Sequence, residues 1–60
     1  MTEQEKTIIR RAYAEASLAA KEKGLTGFTA NRAVLAAASK VSSRILGVSI
    51  TPEDVQQVMA

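Results

Sequence analysis

Gly24 and Gly47 each follow a run of helix-forming residues, and each is followed directly by an apolar residue, Leu25 and Val48. Glycine reaches the left-handed backbone that ends a helix, and an apolar residue just beyond it closes onto the last turn. Two such stops in 60 residues leave room for two helices of about five turns and a short tail. They exclude one continuous rod, and Val48-Ser49-Ile50 is too short to form a sheet alone.

The first helix is expected over about residues 3–23. Thr2 with Glu5 three positions on can form a capping box, and Glu3 and Glu5 suit the positive end of the helix dipole. Ile8, Ile9, Ala12, Tyr13, Ala16, Ala19 and Ala20 fall within an arc of about 140° at helical spacing. Leu18 lies outside that stripe, among charged residues. The second helix is expected over about 30–46, with Val34, Leu35, Ala37, Ala38, Val41, Ile45 and Leu46 on one face. Arg32, Ser39, Lys40, Ser43 and Arg44 take the other face. A third helix is expected over about 52–59: Thr51 as N-cap, Pro52 at the first helical position, Glu53 and Asp54 in the first turn. At barely two turns it must lean on the other two helices. The expected fold is all-α: one domain over 1–60, with two main antiparallel helices and a short C-terminal helix.

Composition removes several classes of function. There is no Cys and no His, which excludes disulfides, thiolate chemistry and the usual zinc sites. Glu53 and Asp54, the one adjacent pair of carboxylates, have a capping role, and Ser39, Ser42 and Ser43 have no base to activate them. Gly24-Leu25-Thr26-Gly27 lacks the Lys-Ser/Thr that a phosphate loop needs. No enzymatic activity, cofactor, metal or small-molecule substrate is expected. Met1-Thr2-Glu3-Gln4-Glu5-Lys6 is unlike a signal peptide, and no apolar run approaches the ~20 residues of a membrane span. A cytoplasmic chain with no membrane partner is the expectation.

Charge is unevenly placed. Lys and Arg number 8 against 6 Asp and Glu, yet no acidic residue lies between Glu22 and Glu53. Lys23, Arg32, Lys40 and Arg44 fall in that stretch. Cations beside short hydroxyls suit phosphates or an acidic partner, so Asn31, Arg32, Lys40, Ser43 and Arg44 form the candidate set. The competing reading is a solvated helix face. Three cations are few for nucleic-acid affinity at physiological salt, and a dimer would double them.

Leu46-Gly47-Val48-Ser49 resembles the turn of bacterial helix-turn-helix regulators over four residues. The helix after it would present Glu53 and Asp54 to DNA and carries no Arg, Lys or Asn to read a base. Ile50-Thr51-Pro52-Glu53-Asp54-Val55 resembles the entry to the last helix of histone-fold proteins. Gly27 and Gly47 leave too little room for the long central helix of that fold, so generic N-capping explains the match.

Exposed apolar residues point instead to a protein partner. Leu18 lies off the core stripe, and Phe28 is expected in a loop, where it would plug the end of the bundle. With Leu35 and Leu46 at the edge of a broad apolar face, they mark surface for another chain. A 60-residue domain buries only about 60% of its unfolded surface, which also favours self-association. The expected role is a small non-enzymatic binding or regulatory protein working through protein–protein contacts, as a homodimer or with another protein. The alternative is a nucleic-acid-binding regulator using the basic face of the second helix.

Overall fold

The computed structural model describes residues 1–60 as three helices: α1, Glu3–Glu22; α2, Gly27–Leu46; and α3, Pro52–Met59. Local chemistry sets most of their ends. At α1 the Glu5 N–H donates to Thr2 Oγ1 at 3.1 Å, and the Thr2 N–H donates to Glu5 Oε1 at 2.8 Å. That backbone N–H, helped by the Thr2 hydroxyl, holds the Glu5 carboxyl below the usual carboxylate range. The same box recurs at α3 between Thr51 and Asp54, at 3.0 and 3.1 Å, with Pro52 opening the helix.

Gly24 ends α1 with φ of +78°. Its N–H donates to the Lys21 carbonyl and that of Leu25 to the Ala20 carbonyl, both at 3.0 Å, and Leu25 is half-buried. This double bond with its apolar closure is the cap expected there. Gly47 ends α2 more simply, with φ of +69° and one bond from its N–H to the Ser43 carbonyl at 2.9 Å. Val48 stays 50% exposed, so the apolar closure expected after Gly47 does not form.

α1 and α2 pack antiparallel along their length. Thr7 and Ile8 share one end of the groove between them with Ile45, while Ala19, Ala20 and Lys23 share the other with Ala33. α3 closes the bundle. Ile9 and Ala12 of α1, Ala38 of α2, Ile50 of the linker and Val55 of α3 form the buried cluster. Tyr13, Leu35, Val41, Leu46 and Val58 pack around it, partly buried. The all-α, three-helix architecture is thus as the periodicity implies, and no helix is long and apolar enough to cross a membrane.

Two local features differ from expectation. α2 begins at Gly27, ahead of the expected residue 30, because the cap at Gly24 already reverses the chain within a few residues. Phe28 therefore sits in the first turn of α2 and is 75% exposed, where a plug for the bundle end was expected. The buried side of α2 keeps Val34, Leu35, Ala38, Val41 and Leu46 of the expected apolar face, buried or half-buried, but is rotated towards the serines. Ser39 and Ser42 are buried, whereas Ala37 is exposed and Ile45 is 61% exposed. The cause is the return of the chain towards α3 on the serine side. The Ile50 N–H donates to Ser43 Oγ at 2.8 Å, and that hydroxyl in turn reaches the Ser39 carbonyl at 2.7 Å and the Ile50 carbonyl at 3.1 Å. The linker is thereby held against the last turns of α2.

Candidate functional site

The exposed candidate residues divide between two regions of the surface. The first is a slanting row on α2. Phe28, Arg32, Ala36, Lys40 and Arg44 recur every fourth residue and all are exposed. The Arg32 guanidinium lies 5.9 Å from the Phe28 ring centroid, a cation–π contact of about 0.5–1 kcal/mol at an exposed position. The chain's single ion pair is Lys6 with Glu3, so Arg32, Lys40 and Arg44 carry unpaired charge. Asn31 is exposed one residue before Arg32 and borders a shallow groove with Tyr13 and Ser17.

Ser43, expected beside those cations as a phosphate contact, is half-buried and its hydroxyl holds the linker at Ile50. The neighbouring Ser39 hydroxyl donates to the Ala36 carbonyl at 3.0 Å. The hydroxyl-and-cation cluster thus separates into cations outside and serines inside.

The second region is the side of the α1/α2 pair turned away from α3. There a groove of about 290 Å³ runs between Thr7, Ile8, Arg11, Ala12 and Glu15 of α1 and Val41 and Ile45 of α2. Towards the other end of the helix pair Ala16, Ala19, Ala33 and Ala37 line a smaller hollow of about 110 Å³. Leu18, 61% exposed, stands on α1 one turn beyond Glu15. Of the four apolar residues expected to meet a partner, Leu18 and Phe28 are free to do so. Leu35 and Leu46 already pack against the core, partly buried. Ile45 and Val48 are the exposed apolar residues that sequence reasoning missed. Ile45 was hidden by its period, which places it on the core side of α2. Val48 was hidden by the glycine before it, which signals an apolar closure.

The acidic groups do other work. Glu5 and Asp54 accept cap bonds, and no three acidic side chains gather as a metal site would require. No protein-family model matches this sequence, and no curated protein or solved structure matches it.

Proposed function

We propose that this chain is a non-enzymatic binding module that acts through protein–protein contacts. The observation that carries this reading is the distribution of its large apolar side chains. Ile9, Val34, Ile50 and Val55 are buried, while Met1, Leu18, Phe28, Ile45, Val48 and Met59 are exposed. Seven more, Ile8, Tyr13, Leu25, Leu35, Val41, Leu46 and Val58, are half-buried, and the six exposed ones give this small bundle apolar surface suited to another chain. Leu18→Asp puts a charge on that surface without touching the core. Its expected result is unchanged helicity by circular dichroism together with loss of association in sedimentation velocity and co-purification. Helicity lost in parallel with binding would count against the reading.

The α2 row favours a second reading, sequence-tolerant nucleic-acid binding through Arg32, Lys40 and Arg44 with Phe28 beside them. Three phosphate contacts would give a salt slope of about −3 on a log–log plot. Anisotropy of a labelled duplex at low and near-physiological salt measures it, and Lys40→Glu should abolish binding with the fold intact. Binding independent of salt would sink this second reading.

A further inference from the structure

We propose that the partner is a second copy of this chain, docked antiparallel along α1 about a two-fold axis level with residue 13. This rests on the protein-contact reading above and names the partner. Gln4, Ile8, Arg11, Glu15, Leu18 and Glu22 are separated alternately by four and three residues. That spacing lines them up in one stripe along the helix, with the apolar Ile8 and Leu18 flanking the charged Arg11 and Glu15. All six lie on the accessible side of α1, Ile8 half-buried and the others exposed.

The seam complements itself in one direction only. Placed antiparallel with residue 8 opposite 18, it sets Ile8 against Leu18 of the second copy and Arg11 against the second copy's Glu15. The two-fold axis repeats both pairs. Each Leu18 then enters the 290 Å³ groove of the other copy, beside Ile8, Val41 and Ile45. A parallel arrangement in register would instead stack Arg11 on Arg11 and Glu15 on Glu15.

Arg11 and Glu15 are available for this pairing. They stand one turn apart on α1 yet form no ion pair with each other. A base four residues before an acid is the weaker order for a pair within one helix. The chain exposes 4268 Å², so a standard dimer interface of about 800 Å² per copy would cover roughly a fifth of it.

The test is sedimentation equilibrium of the full chain from about 1 μM to 1 mM, with circular dichroism as the check on folding. Arg11→Glu and Glu15→Arg should each weaken the dimer about tenfold or more, because each change is felt at two contacts. The double variant carrying both should recover most of the loss, short of the parent because acid before base is the stronger order for a pair within one helix. Geometry is tested separately at the ends of the seam, where both residues are exposed. Gln4→Cys combined with Glu22→Cys should give a covalent dimer on air oxidation, and Gln4→Cys alone should not. A chain that stays monomeric at 1 mM overturns the second-copy proposal, leaving the protein-contact reading to the Leu18→Asp experiment. A dimer indifferent to both charge reversals but lost with Phe28→Ala overturns the α1 seam and keeps that reading. Cross-linking by Gln4→Cys alone overturns the antiparallel arrangement.

Discussion

Replacing Ile9 by alanine is expected to lower the thermal midpoint by at least 10 °C, roughly, and to leave a large part of the chain unfolded at 37 °C. Ile9 is fully buried and belongs to the cluster that joins all three helices through Ala12, Ala38, Ile50 and Val55. Truncating such a side chain costs about 2–5 kcal/mol, from lost burial and the cavity left behind. A 60-residue domain has about 3–9 kcal/mol in total. Each kcal/mol moves the midpoint of a domain this size by roughly 4–8 °C. The neighbours offer little relief: Ala12 and Ala38 have no side-chain reach with which to fill the space. Far-UV circular dichroism melts at matched protein concentration check this, since self-association would make the midpoint depend on concentration. A variant melting within a few degrees of the parent would show that the cluster is not the centre of stability.

The second large effect is a contrast between two adjacent serines. Ser43→Ala removes the acceptor of the Ile50 N–H and the donor to the Ser39 carbonyl. A partner group left unsatisfied in a half-buried site costs about 1–3 kcal/mol. Ser42→Ala should be neutral or stabilising. Its hydroxyl is fully buried with no protein hydrogen-bond partner, so removing it relieves a desolvated polar group and leaves little cavity. Denaturant titrations of both variants separate the cases: a lower midpoint for Ser43→Ala and an equal or higher one for Ser42→Ala. Equal destabilisation by both would mean that the bridge to Ile50 contributes no more than the volume of a hydroxyl.

These serines also show where sequence reading stops. Thr2 with Glu5, Thr51 with Asp54, Gly24 with Lys21 and Leu25 with Ala20 bond within a few positions of each other. Such bonds depend on nearest neighbours, so the number of helices and most of their ends can be read from the chain. The exposure of several candidate residues was legible to the same depth. Leu18 and the exposed cations Arg32, Lys40 and Arg44 stand out because each breaks or completes a local helical pattern.

By itself, then, the sequence determined an all-α chain of two long helices and one short helix, because capping and helical period act over a single turn. Only the tertiary structure decided which side of α2 faces inward. Periodicity places Ala37 and Ile45 on the inward face with Val34, Ala38 and Val41. Yet Ser43 bonds the Ile50 backbone seven residues on, and the inward side is rotated towards the serines. Ser39 and Ser42 are buried while Ala37 and Ile45 are exposed. The Ser39 hydroxyl offsets its burial by donating to the Ala36 carbonyl, the Ser42 hydroxyl has no such partner, and the polarity of both hides their burial from a hydropathy pattern. That choice leaves Ile45 beside Ile8 on an open groove.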